Sequence, residues 1–149
     1  MRCVVQRVTS ASVRSEGETT GAIGHGLMVL IGVREEDGPA DLKYIRDKVI
    51  HLRIFDDENG VMNRSVIDAG GSILAVSQFT LYGDARGGRR PSYSRAAKPE
   101  KANQMYEELI AAWRAEGVTV ETGRFRTEMQ VALVNDGPVT ILLDSEKCF

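Results

Sequence analysis

The sequence has 149 residues, the size of one domain that can bury a hydrophobic core without disulfides or bound metals. Its composition, with 42% hydrophobic and 27% charged residues, is typical of a soluble globular protein, and we expect a single domain over residues 1–149. The net charge of −2 excludes a generally basic nucleic-acid-binding protein, so any contact with RNA must come from a local basic patch.

The sequence contains no segment that is typical of a membrane anchor or a secretion signal. The longest apolar run, Leu27–Ile31, is far too short to span a bilayer, and Met1–Val13 alternates polar and apolar residues. We therefore predict a cytoplasmic protein with no membrane partner. Cys3 and Cys148 lack the spacing of metal ligands, and we interpret both as reduced packing residues.

The first half of the sequence predicts β-structure with one helix. Its elements in chain order are a strand at Arg2–Val13, a turn at Ser15–Gly21, a strand at Leu27–Val33, a helix from about Ala40 to Leu52, a short strand at Arg53–Phe55, a turn at Asp56–Gly60 and a weak strand or loop at Val61–Ile67. The first strand should alternate, with Arg7 on one face together with Cys3, Val5, Thr9 and Ala11, and with Val4, Gln6 and Val8 on the other face. An arginine among such neighbours needs a partner for its charge.

Ser72–Asp84 predicts one strand that begins as apolar core and ends in polar residues. Its apolar part is hydrophobic on both faces, as in a strand covered on both sides. Ser77, Gln78 and Thr80 then follow where the context predicts burial, with Gln78 and Thr80 on one face and Ser77 on the other. An unpaired buried polar group costs about 1–3 kcal/mol. These groups therefore either bond neighbouring backbone, as at an ordinary strand end, or wait for a ligand.

Asp84–Pro99 is the one strongly basic segment of the sequence. Its glycine and proline content predicts a loop, and its charge suits phosphate groups. The positive charges are those of Arg86, Arg89, Arg90, Arg95 and Lys98. The alternative is a solvated loop whose arginines pair with acidic neighbours.

The last third of the sequence predicts one helix and three strands. The helix begins at Pro99, carries Trp113 in its apolar stripe and ends before Gly117. The strands are predicted at Val118–Glu121, Met129–Asn135 and Val139–Asp144. Mostly antiparallel β-structure with two helices, in an order unlike the βαβ alternation of parallel folds, predicts the α+β class.

The sequence lacks the motifs of the common cofactor and metal sites. No glycine-rich phosphate loop opens a helix, so a nucleotide cofactor has no support. His25 and His51 belong to no cluster of metal ligands, and no motif places either beside Ser77 or Thr80 as a base. We predict no metal and no cofactor. Backbone N–H groups, polar side chains of this strand end or the substrate itself must then do the acid–base work.

Gly137-Pro138 interrupts the last two predicted strands. Proline removes a donor from a β-ladder and is normally excluded from central strands, so the pair marks a turn or an edge presented to another molecule. An ordinary hairpin turn is the alternative, and the residues themselves do not decide between the two.

Two separated motifs carry a resemblance to a known family. Ser77-Gln78-Phe79-Thr80-Leu81, followed much later by Asn135-Asp136-Gly137-Pro138-Val139-Thr140, resembles the D-aminoacyl-tRNA deacylase family, the DTD type. The resemblance extends over the whole chain and includes Gln6-Arg7-Val8, Arg53-Ile54-Phe55 and Arg89-Arg90-Pro91-Ser92. One departure is Arg126-Thr127-Glu128 before Met129, where smaller residues are expected in the wall of the pocket.

The resemblance implies a DTD-like fold, in which mostly antiparallel β-sheets form a barrel-like core with two helices. It also implies a homodimer in which the Gly137-Pro138 pair of each subunit, with a cis peptide bond, enters the partner's pocket beside the Ser77–Leu81 motif. Arg7 would brace this pair, and Met129 is assigned with them to substrate binding and chiral selection.

The activity implied by the resemblance is hydrolysis of the ester between a D-amino acid and the 3′-terminal adenosine of tRNA, with glycyl-tRNA also accepted and L-aminoacyl-tRNA rejected. The implied site residues are Ser77, Gln78, Phe79 and Thr80 for catalysis and Arg86, Arg89 and Arg90 for binding the acceptor end of tRNA. Backbone N–H groups around Phe79 and Thr80 would polarise the ester carbonyl, and the ribose 2′-hydroxyl would assist the attacking water. The alternatives are a non-catalytic RNA-binding module that uses the basic segment and a hydrolase with Thr80 as nucleophile.

Overall fold

The computed structural model describes residues 1–149 and contains eight β-strands, two α-helices and one 3₁₀ helix. In chain order these are β1 (Arg2–Ser15), β2 (Glu18–Ile23), β3 (Gly26–Gly32), α1 (Pro39–His51), β4 (Phe55–Asp56), β5 (Met62–Arg64), β6 (Ser72–Ser77), the 3₁₀ helix (Phe79–Tyr82), α2 (Pro99–Ala115), β7 (Val120–Thr122) and β8 (Gln130–Asp144). Neither α-helix combines the length and the apolar character that crossing a bilayer requires.

Six strands form one curved sheet around the long strand β1. β1 pairs in antiparallel fashion with β2, β3 and β8, whereas β6 pairs in parallel with both β3 and β7. Strands β4 and β5 make a separate antiparallel hairpin. The predicted α+β class with two helices is confirmed. The large sheet is mixed, because the long connections that contain α1 and α2 return the chain in the same direction.

The sheet curls into a barrel-like shape in which β2 approaches β7. At Gly21 in β2, a Cβ atom would lie 2.5 Å from the carbonyl oxygen of Thr122 in β7, so glycine is required for this approach. A small apolar cluster contributed by the strands alone fills the inside of the barrel. Its buried members are Val8, Ala11, Val13, Ile23, Met28, Leu74 and Val76.

The larger core lies between the opposite face of the sheet and the two helices. Trp113 of α2 is fully buried, and its indole N–H donates to the carbonyl of Arg46 in α1 at 3.1 Å. The Tyr106 hydroxyl donates to the carbonyl of Ala75 in β6 at 2.7 Å. The prediction that Trp113 is a core residue is therefore confirmed, and α2 packs directly against β6.

β1 changes the face on which its buried residues lie about halfway along the strand. Cys3 and Val5 belong to the larger core and Val8 lies inside the barrel, as the predicted alternation requires, but Ala11 also lies inside the barrel and Thr9 is exposed. The register against β8 shifts at two places in this part of β1. Between Val8 and Ser10 the extra residue belongs to β1 and moves the following side chains to the other face, so the predicted alternation is wrong beyond Val8.

Three predicted elements differ from the structure near their ends. Ser15–Gly21 is a tight turn followed by β2, because Gly17, with φ of +78°, allows the chain to reverse within two residues. The strand predicted over Ser72–Asp84 ends at Ser77 and continues as the 3₁₀ helix. The last two predicted strands are one strand, β8, which pairs with β1 on both sides of a bulge at Asp136–Val139, the β8 bulge.

The two cysteines have different environments. Cys3 is buried in the larger core, and burial raises the pKa of its thiol to about 12, as expected for an inert packing residue. Cys148 is exposed near the end of the chain. The packing interpretation is therefore confirmed for Cys3 and wrong for Cys148.

Candidate active site

A cavity of about 1210 Å³ opens where β6 ends and α2 begins. Ligand pockets usually measure about 300–1,000 Å³, so this cavity has room for a ligand larger than a free amino acid. Four chain segments form its wall: the end of β6 with the 3₁₀ helix, the approach to α2, the turn between β1 and β2, and the segment before β8. The predicted site residues that line it are Ser77, Gln78, Phe79, Thr80 and Met129.

The cavity turn, which we define as Ser77–Tyr82, carries four of these residues. The N–H of Gln78 donates to the carbonyl of Ile31 in β3 at 2.7 Å, which fixes the start of the turn. The first bond inside the 3₁₀ helix runs from the Leu81 N–H to the Gln78 carbonyl at 3.2 Å. The N–H groups of Phe79 and Thr80 precede this bond, so the helix itself leaves both without a partner.

Thr80 and Gln78 contact each other in the cavity turn. The side-chain amide of Gln78 donates to the Thr80 hydroxyl oxygen at 2.6 Å. An amide donor cannot remove a proton from Thr80. The carboxylates in the cavity wall belong to Glu16 and Glu128, and neither forms a hydrogen bond with Thr80. The structure therefore provides Thr80 with no bonded general base.

Neither histidine belongs to the cavity wall. His25 packs edge-on against Phe55, with 5.1 Å between the ring centres, and His51 lies at the end of α1. The expectation that no histidine stands beside Ser77 or Thr80 agrees with this placement. Any proton transfer in the cavity therefore depends on other groups.

Two of the three aromatic residues that line the cavity, Tyr93 and Phe125, were missed by the sequence analysis, whereas Phe79 was predicted. Phe79 is 55% exposed and meets Tyr93 edge-on, with ring centres 5.2 Å apart. Phe125 also lines the cavity and stacks on Tyr106 of α2. The available signal was a tyrosine, Tyr93, within the loop predicted for the basic segment, since binding residues are often found on loops.

The segment Arg126-Thr127-Glu128 forms part of the cavity wall, where the sequence analysis expected it. The Ser15 hydroxyl of β1 donates to the Thr127 hydroxyl at 2.7 Å, and Thr127 donates to the Arg124 carbonyl at 2.9 Å. Behind this wall Gly123 leaves room for Met129, because a Cβ atom there would lie 2.6 Å from the methionine sulfur. The wall is thus fixed to the end of β1.

The β8 bulge lies away from the cavity of its own chain. Gly137 and Pro138 are joined by a cis peptide bond, both are exposed, and neither belongs to the cavity wall. Arg7, which is 8% exposed, donates to the Asp136 carbonyl at 3.0 Å and to the Ile54 carbonyl at 2.7 Å. These bonds answer the need of Arg7 for partners and connect it to the bulge.

The arginine loop, which we define as Asp84–Ser92, is closed by two backbone hydrogen bonds between its end residues, at 2.8 and 2.9 Å. Arg86 binds both carboxylate oxygens of Asp84, and this guanidinium holds the pKa of the Asp84 carboxyl well below its usual range. Arg89 and Arg90 are exposed and form no ion pair. Of the three arginines predicted to bind tRNA, Arg86 is therefore paired, and Arg89 and Arg90 are free.

Comparisons with known proteins agree over nearly the whole chain. A family model described as D-Tyr-tRNA(Tyr) deacylase matches residues 4–144. The D-aminoacyl-tRNA deacylase of Thermosipho africanus is 58% identical over 149 residues, which is 100% of both chains. The D-aminoacyl-tRNA deacylase of Bacillus pumilus is 60% identical over 147 residues, which is 99% of this chain and 100% of its relative.

Two solved structures share the fold. The c-Myc DNA Unwinding Element Binding Protein superposes with a TM-score of 0.91 at 40% identity, covering 97% of this chain and 98% of the other. A protein described as a "probable eukaryotic D-amino acid tRNA deacylase" superposes with a TM-score of 0.79, covering 95% and 97% of the two chains. At 17% identity, the second likeness concerns the fold alone.

Proposed function

This chain belongs to the D-aminoacyl-tRNA deacylase family and is a hydrolase of the ester bond in D-aminoacyl-tRNA, and from this premise we propose that the ester is cleaved beside the cavity turn. The observation that carries the proposal is the pair of N–H groups at Phe79 and Thr80, which the 3₁₀ helix leaves free at the cavity wall. Family membership excludes the alternative of a non-catalytic RNA-binding module.

In the proposed reaction, water adds to the ester carbonyl while the N–H groups of Phe79 and Thr80 stabilise the negative charge on its oxygen. The bond from the carbonyl carbon to the ribose 3′ oxygen then breaks, and the 3′ oxygen receives the proton that the water loses. Because no histidine lines the cavity, we assign the relay of this proton to the 2′-hydroxyl of the same ribose. Free D-amino acid and tRNA are the products.

Replacement of Thr80 distinguishes the proposed reaction from one in which Thr80 is the nucleophile. Thr80→Ala should keep the single-turnover rate on D-tyrosyl-tRNA within about tenfold, since a positioned acid or base would contribute about 10²–10⁴-fold. Thr80→Ser is the matched control because it keeps the hydroxyl. A larger loss of rate in Thr80→Ala, with unchanged tRNA binding and with the rate retained in Thr80→Ser, would instead support Thr80 as the nucleophile. A trapped acyl-Thr80 intermediate would support the same role.

For chiral selection we propose a homodimer in which the Gly137-Pro138 pair of one chain closes the cavity of the other. Backbone carbonyls of the pair would bind the α-amino group and leave no room for an L side chain, whereas a D side chain would point to solvent. The exposure of the pair, its distance from its own cavity wall and the anchoring of the bulge by Arg7 support this proposal. Glycine has no side chain to exclude, so glycyl-tRNA should also be accepted.

The surface of β8 supports the homodimer. β8 pairs with β1 along one edge only, and its outward residues Val134 and Leu142 are 56% and 54% exposed. An unpaired strand edge with apolar side chains favours association with another chain. In the cell, removal of D-aminoacyl esters would constitute chiral proofreading during translation in the cytoplasm.

The activity and the selection are tested by incubating the purified protein with D-tyrosyl-tRNA, L-tyrosyl-tRNA and glycyl-tRNA. We expect the D ester and the glycyl ester to be hydrolysed and the L ester to persist. Hydrolysis of both tyrosyl esters at the same rate would contradict the proposed rejection of the L side chain. Persistence of the glycyl ester together with the L ester would restrict the proposal to D-amino acids.

We further propose that Arg89 and Arg90 bind phosphates of the acceptor end. Arg89→Ala or Arg90→Ala should weaken tRNA binding and lower the slope of log K against log salt by about 0.7–0.9 for each lost contact, without changing the D/L preference. The measurement is a salt titration of the dissociation constant for uncharged tRNA.

Arg86→Ala is the matched control in the same loop. The charge of Arg86 is already paired with Asp84, so its removal should change the salt slope much less than removal of Arg89. Equal slopes for the wild type and the Arg89→Ala and Arg90→Ala variants would remove the arginine loop from the tRNA site.

A further inference from the structure

Tyr82 is the buried end of the cavity turn. Its side chain is 2% exposed, and the guanidinium carbons of Arg2 and Arg95 lie 4.6 and 5.7 Å from the centre of its ring. Its hydroxyl is buried without a hydrogen-bond partner. Burial, followed by the nearby carboxylates of Asp37 and Asp144, holds the pKa of the phenol well above its ordinary value. The ring rather than the hydroxyl therefore makes the contacts of this residue.

Arg2 connects the cavity turn to the end of β8. One of its terminal nitrogens donates to the Leu81 carbonyl at 3.1 Å, and its Nε donates to the Asp144 carboxylate at 2.9 Å. The same guanidinium lies over the ring of Tyr82. Arg2 thus contacts both the backbone of the cavity turn, at Leu81, and the aromatic ring of Tyr82.

β3 supports the same turn from its other side. At Gly32, a Cβ atom would lie 3.0 Å from the Leu81 Cβ and 3.2 Å from the Gln78 carbonyl oxygen, so the two backbones are in direct contact. The turn is therefore fixed before Phe79 by β3 and after Thr80 by Arg2. The N–H groups of Phe79 and Thr80, which the 3₁₀ helix leaves without a partner, lie between these fixed points.

We propose that Arg2 and Tyr82 are positioning residues of the deacylase, which together set the direction of the Phe79 and Thr80 N–H groups in the cavity. The inference rests on the proposed function, since it requires that these N–H groups polarise the ester carbonyl. Neither Arg2 nor Tyr82 lines the cavity, so both act through the backbone of the turn and not by touching the substrate. Attraction between a cation and an aromatic ring requires the ring face alone.

Two measurements separate a positioning role from a merely structural one: the single-turnover rate on D-tyrosyl-tRNA and the dissociation constant for tRNA. Tyr82→Leu removes the ring and should slow the chemical step about tenfold, because a misplacement of 1 Å can cost up to about 100-fold in rate. The dissociation constant for tRNA should stay within about twofold of the wild-type value. Tyr82→Phe keeps the ring and should keep the wild-type rate. Arg2→Met removes both contacts of the guanidinium with the cavity turn, those to the Leu81 carbonyl and the Tyr82 ring, and should slow the step at least as much as Tyr82→Leu.

Wild-type rates in both Tyr82→Leu and Arg2→Met would overturn the inference. Parallel losses of rate and tRNA binding would overturn it as well, because they indicate a general structural defect. If Tyr82→Leu fails to fold, the rate of Arg2→Met decides whether the inference holds. Arg2→Met should fold, since the Arg2 side chain is 23% exposed and Asp144 keeps the Glu146 N–H as a partner at 2.7 Å. Hydrolysis of the D ester by the wild type is measured before any variant. Its failure would contradict the proposed function itself.

Discussion

Replacing Phe79 with proline should slow the hydrolysis of D-tyrosyl-tRNA about 10²–10³-fold, the usual cost of losing one hydrogen-bond donor to a developing oxyanion. Proline lacks an N–H group, and Phe79 is the first residue of the 3₁₀ helix, where no intrahelical donor is needed. Gln78 has φ −142° and ψ 86°, outside the helical region that a following proline disfavours. The fold should therefore survive the change, and single-turnover kinetics measure its effect.

Phe79→Ala is the matched control, because it keeps the N–H group and removes the ring that contacts Tyr93. Aromatic pairs contribute about 0.5–1.5 kcal/mol, so this variant should lose no more than about tenfold in rate. Equal losses in Phe79→Pro and Phe79→Ala would assign the effect to the ring and contradict the role of the N–H group.

Replacing Gly137 with alanine should lower the rate on D-tyrosyl-tRNA about 100-fold while the fold persists, because small misplacements of positioning groups have effects of this size. The φ angle of Gly137 is +131°, and a Cβ atom would lie 2.8 Å from Val139 Cγ2 and 3.1 Å from an Arg7 guanidinium nitrogen. Either the β8 bulge must change its backbone or Arg7 must leave the Asp136 carbonyl. Both displace the pair that we propose closes the partner's cavity.

Gly24→Ala is the control for a glycine replacement in an open position, since the atom nearest to its Cβ site, the Thr9 carbonyl oxygen, lies 4.0 Å away. This variant should keep the wild-type rate. A wild-type rate in Gly137→Ala as well would contradict the proposed role of the β8 bulge.

A mixture of the two inactive variants distinguishes action within one chain from action across the dimer. When a Gly137→Ala chain pairs with a Phe79→Pro chain, one cavity combines the intact turn of the first with the intact bulge of the second. Free exchange of subunits in a symmetric dimer should then restore about a quarter of the wild-type sites. Absence of any recovery, after mass spectrometry confirms mixed dimers, would contradict the cross-subunit arrangement.

The helices of this protein were determined by their own residues. The predicted α1, from about Ala40 to Leu52, corresponds to Pro39–His51, and α2 begins at Pro99 as predicted. Both predictions depend on apolar spacing within a few turns, and that of α2 also depends on a proline in its first turn. These are local signals that survive in any tertiary context. The order of strands, the polar end of β6 and the interruption at Gly137-Pro138 were likewise visible in the residues.

Register, conformation after β6 and the composition of the cavity wall were decided only by the tertiary structure. A polar strand end looks the same whether the chain stays extended or turns, and here the bond from Gln78 to Ile31 and the contact at Gly32 favour a 3₁₀ helix over the predicted strand. The extra residue of β1 in its pairing with β8 moved Ala11 into the barrel. Tyr93 and Phe125 reach the cavity from segments far apart in the chain. Such contacts join residues whose sequence separation leaves no periodic signal, so packing alone places them together.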